Sequence, residues 1–382
     1  MKILHTADWH LGRQFHGQSL ETDHAVILEQ VLEAVRVHQP DVFIIAGDIY
    51  DRASPPPEAV RQFNKFIETI ASESQAAIVM IAGNHDSGDR IASIAALADR
   101  RRVLVRGPLS ADERPLIIAD RHGPVAFSAL PFGHEYAARE CFGDSKIANP
   151  ADVIAAQIKS ARAHVPEQAR WVITSHAFVA DATPSEGERH LTVGGIETVP
   201  ASAFDGAHYV ALGHLHRAQS TGGNHIRYSG SPLAFGFDEA GAEKSMVLVE
   251  LGADGSVSTQ LLPFKPARSA RVLKGSFTDI LATAAQAPSE DFCKIVLTDP
   301  GALVDPMGRI REHYPNAAIL TYERDDEAVK AKAGGATQGS LDNPIAVVGE
   351  FFVHAREEAA SAEEITLVSE VLNQLKAVEA HS

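Results

Sequence analysis

The chain is short of cysteine, of long apolar runs and of positive charge, and each shortage removes a class of protein. Two cysteines, Cys141 and Cys293, are too few for a disulfide framework or a thiolate metal cluster, which fits a reducing compartment. No apolar run approaches the roughly 18 residues that span a bilayer. Met1-Lys2-Ile3-Leu4 opens without the basic segment and apolar core of a secretion signal, so a cytoplasmic location is expected. Bases are outnumbered, 34 Lys and Arg against 50 Asp and Glu, for a net charge of −16. Phosphate neutralisation dominates unaided nucleic-acid binding, so overall charge does not favour it here. A local basic groove or bound divalent cations would reverse the sign where it matters. By contrast, 382 residues with 45% hydrophobic and 22% charged side chains supply a large core and room for two or three domains. Histidine is abundant, at 18 residues, and its placement carries the argument.

The first 250 residues repeat one unit: a short apolar run, a turn with Asp, Asn or His, then a helical segment. The runs are Lys2 to Thr6, Val42 to Ala46, Ala77 to Ala82, Val125 to Leu130, Trp171 to Ser175 and Tyr209 to Leu212. They lack polar alternation, which predicts strands buried on both faces. Ala25, Leu28, Leu32 and Val35 fall at helical spacing, and Ser54-Pro55 reads as a helix start with Val60, Phe63, Ile67 and Ile70 on one face. Strands alternating with helices predict an α/β layered domain over 1–265. Ile226 to Ser229 and Met246 to Leu251 read as strands of a second sheet.

A small α+β domain is expected over 268–330, with strands at Cys293 to Leu297 and Ala318 to Tyr322. The small-residue stretch 331–343 reads as a flexible linker. Two helices are predicted over 344–382. Asn343-Pro344 would start the first, with Ile345, Val348 and Phe352 on one side. Ser361 and Glu364 form a capping box for the second, whose apolar stripe is Ile365, Val368, Leu372 and Leu375. Two readings stand for these helices: a packed tail, or a docking element for a partner.

Five segments stand just past predicted strands: Asp8-Trp9-His10, Gly47-Asp48-Ile49-Tyr50-Asp51, Gly83-Asn84-His85-Asp86, Ser175-His176 and Gly213-His214-Leu215-His216. Ligands of open α/β sheets sit outside the carboxyl ends of the strands, so these side chains should converge. Asp, Asn and His without thiolate suit Mn²⁺, Fe²⁺, Mg²⁺ or Zn²⁺ in a reactive rather than a structural site. They are too many for one ion and about right for two sharing a carboxylate, the standard device for phosphate-ester hydrolysis.

These motifs resemble the signature of the calcineurin-like metallophosphoesterase superfamily. Within it, Met1-Lys-Ile-Leu-His-Thr-Ala-Asp-Trp-His-Leu-Gly12 and Tyr209-Val-Ala-Leu-Gly-His-Leu-His-Arg-Ala-Gln219 are most similar to the SbcD family of nuclease subunits, relatives of the Mre-type DNA-repair nucleases. Ser185-Glu-Gly-Glu-Arg189 and Tyr228-Ser-Gly-Ser-Pro-Leu233 add to the likeness. The resemblance implies a layered β-sandwich core flanked by helices, with a capping domain that contacts DNA. It implies that Asp8, His10 and His216 hold one metal, that Asn84, His176 and His214 hold a second, and that Asp48 bridges two cations, Mn²⁺ ahead of Mg²⁺. His85 would then be the catalytic histidine acting on the leaving oxygen; the competing reading is a structural histidine. Asp51 would orient His85 or simply end its loop. His5, His16, His190 and His208 read as surface or supporting residues.

The resemblance further implies a nucleoid-associated exonuclease and endonuclease acting on DNA ends and hairpins. Its partner would be the SbcC ABC-type ATPase, in a heterotetramer built on a nuclease homodimer. Phe63, Ile67 and Ile70 would face either the core or the second nuclease chain. Arg100-Arg101-Arg102 with Arg106 is the densest basic cluster, either a phosphate contact or a solvated helix end. Two alternatives remain: a phosphodiesterase or phosphatase for small substrates, and a non-catalytic scaffold for the ATPase. Gly47-Asp-Ile-Tyr-Asp-Arg52 resembles the protein phosphatases, but Ala53 and Asp86 depart from their pattern.

Overall fold

The computed structural model describes residues 1–97, 99, 101–185, 188, 198–301, 303–323, 361 and 364–367. Two six-stranded sheets lie face to face. One runs Val257–Pro263, Ser245–Leu251, Lys2–Thr6, Val42–Ala46, Ala77–Ile81, Val103–Arg106, with the last four strands parallel. The other runs Gln219–Ser220, Ile226–Tyr228, Tyr209–Gly213, Arg170–His176, Gly123–Leu130, Leu116–Asp120, with its four middle strands parallel.

Alternate residues of each strand face different cores. Ile3, Val42, Ile44, Val79 and Ile81 meet Val125, Phe127, Val172, Tyr209 and Ala211 between the sheets. Their neighbours Leu4, Phe43, Ile45 and Met80 pack outward under the helices Glu21–His38 and Pro57–Glu73. Ala126, Trp171, Ile173 and Val210 do the same beneath Pro150–Arg162. Every side of these strands is therefore apolar, which is why the sequence shows no polar alternation. The result is a helix–sheet–sheet–helix sandwich.

Three local expectations are corrected. The helix predicted at Ser54-Pro55 spans Pro57–Glu73, because a residue before proline avoids helical backbone. In Pro55-Pro56-Pro57 only the last can open the helix, and Pro56 is extended (φ −66°, ψ 152°). Of the first helix's stripe, Leu28, Leu32 and Val35 are buried, whereas Ala25 is exposed and Ile27 and Val31 take its share of the core. Ser245–Leu251 belongs to the first sheet, antiparallel to Lys2–Thr6 with Leu248 opposite Leu4. That pairing joins strands from opposite ends of the domain, which no local pattern encodes. Phe63 and Ile70 are in the core and Ile67 packs partly against it.

The small domain alternates strand and helix and has a strand, Ala270–Gly275, beyond the two expected. Its finer order is Ala270–Gly275, helix Phe277–Gln286, Phe292–Leu297, helix Pro306–Arg311, Ala317–Tyr322, with three parallel strands. Phe277, Ile280, Ile295, Ile310 and Tyr314 give it a core of its own. Arg268 fastens it to the sandwich. Its guanidinium binds the Asp23 carboxylate and the Ser19 carbonyl (2.8 Å) and lies 4.4 Å over the Phe292 ring. The capping box is formed, with Ser361 N donating to Glu364 Oε2 at 2.8 Å and Glu364 N to Ser361 Oγ at 3.3 Å. The linker, the first terminal helix and Val368, Leu372 and Leu375 lie outside the described residues. Among those described, no helix is long and apolar enough to cross a membrane.

Candidate metal centre

The parallel strands of both sheets end at one edge, so the five motifs meet there although they come from two sheets. Two loops zip together first: Asp8 N donates to Gly47 O (3.0 Å), His10 N to Asp48 O (2.9 Å) and Leu11 N to Ile49 O (2.9 Å). Side chains then cross between loops. Asp8 Oδ1 accepts from His214 N (2.9 Å), and Asp48 Oδ1 accepts from His85 N (2.9 Å). The Asp86 carboxylate accepts from Ile49 N, Tyr50 N and Gly83 N at 2.9–3.1 Å, tying the second motif to the third. Asp8, His10, Asp48 and His214 all have positive φ, between 48° and 106°. Such backbone is costly for non-glycine residues and persists only where surrounding bonds enforce it, as this network does.

The approach is close enough to need glycine. A Cβ on Gly83 would stand 2.2 Å from Asp48 Oδ1, and one on Gly213 would stand 1.9 Å from the Ala46 carbonyl oxygen. Gly213 therefore lets the two sheets touch where the candidate ligands lie.

Each histidine's tautomer follows from its fixed partner. His176 Nδ1 faces the Ala46 carbonyl at 2.9 Å and must donate there, which turns Nε2 toward Asn84 Oδ1 (2.9 Å) and Asp48 Oδ2 (3.5 Å). His214 Nδ1 is 3.2 Å from the same Asn84 oxygen. His10 and His216 bring their Nε2 atoms within 3.3 Å of each other. Behind each stands a carboxylate, Asp51 Oδ1 at 3.6 Å from His10 Nδ1 and Glu239 Oε1 at 3.5 Å from His216 Nδ1. These carboxylates favour hydrogen on Nδ1, so the Nε2 lone pairs face each other.

Acceptors aimed at acceptors call for a cation between them. The ligand atoms of Asp8, Asp48 and His176 lie within 4.8 Å of one another, as do those of His10, Asp51 and His85. Asp8 Oδ2 is a buried acceptor without a hydrogen-bond partner. Electrostatics agree. Burial, and then the neighbouring Asp48, push the Asp8 carboxyl well above its usual range. Burial opposes charge on Asp48 too, but His176, His10 and His85 outweigh it and hold that carboxyl well below. Burial disfavours charge on His176, yet Asp48 and Asp8 lift it to about 9. A field that draws a proton to His176 Nε2 draws a metal ion to the same place. The donor set fits hard or borderline divalent cations.

His85, grouped with His10 and Asp51, is half-buried, with its ring 4.6 Å from that of His10 and at 88° to it. Its Nδ1 donates to the Asp51 main-chain carbonyl at 2.8 Å, so Asp51 orients it through the backbone and not through its carboxylate. His5 is neither at the surface nor in the site. It is fully buried, with Tyr209 OH donating to Nδ1 (2.9 Å) and Nε2 donating to Leu212 O (3.2 Å), a polar stitch between the sheets. His16 is exposed and His208 half-buried, and His190 lies outside the described residues. In the basic cluster, Arg102 spends its guanidinium on Ser74 O, Ala76 O and Gln75, and Arg106 on Glu113, which leaves neither for phosphate. Arg100 lies outside the described residues.

The structure adds three residues that the motifs do not include. Glu239 stands behind His216, and Lys244 binds Glu239, His216 O (2.9 Å) and Ser231 Oγ (2.9 Å) in a buried knot. Glu188, within the Ser185–Arg189 stretch, accepts from His216 N and Ser185 N, both at 2.6 Å. Burial raises its carboxyl to about 7. The only sequence signal for Glu239 and Lys244 is that four charged residues, Asp238, Glu239, Glu243 and Lys244, follow the Tyr228–Leu233 segment, too weak to single these two out.

Comparison with known proteins agrees with this geometry. Residues 1–218 match the calcineurin-like phosphoesterase model, and residues 266–352 match the type 5 capsule protein repressor C-terminal domain. The SbcD component of the SbcCD nuclease of Staphylococcus saprophyticus is 32% identical over 327 residues, 85% of this chain and 86% of that protein. A cation-seeking cluster of Asp, Asn and His at the edge of a β-sandwich, together with these matches, leaves one assignment: this chain belongs to the calcineurin-like phosphoesterases as an SbcD-type, metal-dependent nuclease subunit.

Proposed function

We propose that the chain hydrolyses DNA phosphodiesters at a dinuclear centre, with Mn²⁺ ahead of Mg²⁺ as the native ion. Asp8, His10 and His216 would hold one cation, Asn84, His176 and His214 the other, and Asp48 would lie between them. The carrying observation is the gathering of metal-competent atoms: Asp8 Oδ2 buried without a partner, His10 Nε2 against His216 Nε2, and Asp48 Oδ2 within 3.6 Å of both His10 Nε2 and His176 Nε2. When bound, two such ions supply a nucleophile active near neutral pH and charge to offset that of the phosphate. The chain's own residues do the rest. Asp48, fixed by His85 N, keeps its second oxygen toward His10 and His176. Asp86 holds the loops that carry Asp48 and Asn84 at constant separation. His85, its Nδ1 hydrogen committed to Asp51 O, presents Nε2 as the group to protonate the leaving oxygen or stabilise charge on it.

The family likeness supports a biological setting for this reading: a cytoplasmic, nucleoid-associated complex with the SbcC ATPase, acting on DNA ends and hairpins. The stripe Ile365, Val368, Leu372 and Leu375 would provide helix-in-groove anchors for that partner, and two nuclease chains would pair in a heterotetramer. The 268–330 domain would cap the centre and contact DNA.

The test is Mn²⁺-dependent hydrolysis by the purified chain, on end-labelled DNA and on a small phosphodiester in parallel, with Asp48→Ala as the blank and bound metal counted. Cleavage of DNA supports the proposal. Cleavage of the small diester alone favours a small-substrate enzyme unless adding the ATPase restores DNA cleavage. Two bound metals with no activity on either substrate would leave only a scaffold. His85→Ala should retain both metals and lose most hydrolysis; full activity would remove His85 from the mechanism.

A further inference from the structure

Among the strand ends gathered at the centre is that of Gly123–Leu130, the parallel neighbour of Arg170–His176, and it carries none of the ligands. It carries aromatics. Phe132 N donates to Ala82 O at 3.0 Å, which pins this loop beside Gly83-Asn84. The Phe132 ring meets His134 edge-on (5.0 Å, 84°), and His134 stacks on Tyr136 (5.4 Å, 14°). Tyr136 is 66% exposed, among the most exposed large apolar side chains of the described residues. At the inner end, Phe132, His134 and Phe178 line a small pocket together with His176, and the Phe178 ring is 6.3 Å from that of His214. The aromatic series thus runs from solvent to two of the candidate ligands.

We propose that Phe132, His134 and Tyr136 form a stacking platform for an unpaired nucleobase of the strand whose phosphodiester lies at the centre. The proposal rests on the DNA-nuclease reading and adds how the strand is held. Two observations favour a base as occupant. Stacking on aromatic faces serves any base and needs no cationic side chain, which suits a chain of net charge −16 whose Arg102 and Arg106 are engaged internally. The platform also begins beside His176, where the phosphodiester must sit, so a neighbouring base is the group within reach. Paired bases are already stacked on one another, so the platform selects single strands and frayed ends.

The test uses the full chain with Mn²⁺ and a short single strand made resistant to cleavage, its affinity read by fluorescence anisotropy. His134→Ala/Tyr136→Ala should weaken binding at least about fivefold. Tyr136→Phe should bind as the parent does, and every variant should hydrolyse methyl para-nitrophenyl phosphate at the parental rate. A strand with an abasic residue at the stacked position should lose affinity for the parent chain and not for the double variant. Double-variant affinity within twofold of the parent overturns the proposal, as does loss of small-diester hydrolysis. Conversion of a parental dimer to monomer would assign the aromatics to a contact between copies of the chain instead. A parent chain that hydrolyses the small diester but neither binds nor cuts DNA, with or without the ATPase, refutes the DNA reading and the platform together.

Discussion

Replacing Lys244 with Met removes an ammonium from a buried knot and should be among the most damaging single changes away from the ligands. The Lys244 side chain is 7% exposed and that of Glu239 is fully buried. Nζ serves Glu239, His216 O and Ser231 Oγ, so the variant leaves the buried Glu239 carboxylate without its cation, with Phe235 N still donating to it at 3.2 Å, and leaves His216 O to Ser231 N at 3.1 Å. Removing one partner of a buried pair costs about 3–5 kcal/mol, far more than the similar apolar stem of Met returns. At roughly 2–4 °C per kcal/mol for a domain of this size, melting should fall by about 6–20 °C. Neutralising the stranded partner supplies the internal check. Lys244→Met/Glu239→Gln should regain much of the lost melting temperature by calorimetry. It should not regain metal affinity, because His216 has lost the carboxylate behind its Nδ1. Losing such an outer partner typically weakens binding about 10–100-fold, which titration calorimetry with Mn²⁺ would read. A drop below about 1 kcal/mol for Lys244→Met, or a double variant no more stable than the single one, would refute the reasoning.

Gly83→Ala drives a methyl to 2.2 Å from Asp48 Oδ1, so we expect about 1–3 kcal/mol of destabilisation and sub-stoichiometric metal by elemental analysis. Wild-type stability with two metals would show that the loops can separate. Arg170 first, then the His122 amide and the N-terminal ammonium, hold the Asp120 carboxyl below its ordinary range against the opposing effect of burial. Its contribution is therefore complete above about pH 4 and fades as pH falls, so denaturation curves of Asp120→Asn should converge on the wild type under acid conditions. A gap independent of pH would contradict this. Val368→Asp/Leu372→Asp should leave small-diester cleavage unchanged and abolish co-purification with the SbcC ATPase; intact association would place the docking surface elsewhere.

The motifs around Asp8, Asp48, Asn84, His176 and His214 are legible in the sequence because each needs a fixed chemistry at a strand exit, and an apolar run followed by Gly, Asp or His is a local signal. Strand positions are legible for the same reason: runs of five β-branched or aliphatic residues have few other uses. The capping box at Ser361 and Glu364 is likewise a short local pattern, and it forms. Tertiary structure decided everything that depends on distant contact. It put Ser245–Leu251 beside Lys2–Thr6, divided the strands between two sheets, and made Gly213 the point where those sheets touch. It fixed the histidine tautomers through carbonyls of Ala46 and Asp51, which carry no side-chain signature. It buried His5 as an inter-sheet stitch, and it placed Glu239 and Lys244 behind His216 and Phe132 beside Asn84. Which side chains are candidate ligands is a property of residue type and is written in the sequence. Ligand orientation comes from backbone groups and supporting partners brought together only by folding, which is why it had to be read from the structure.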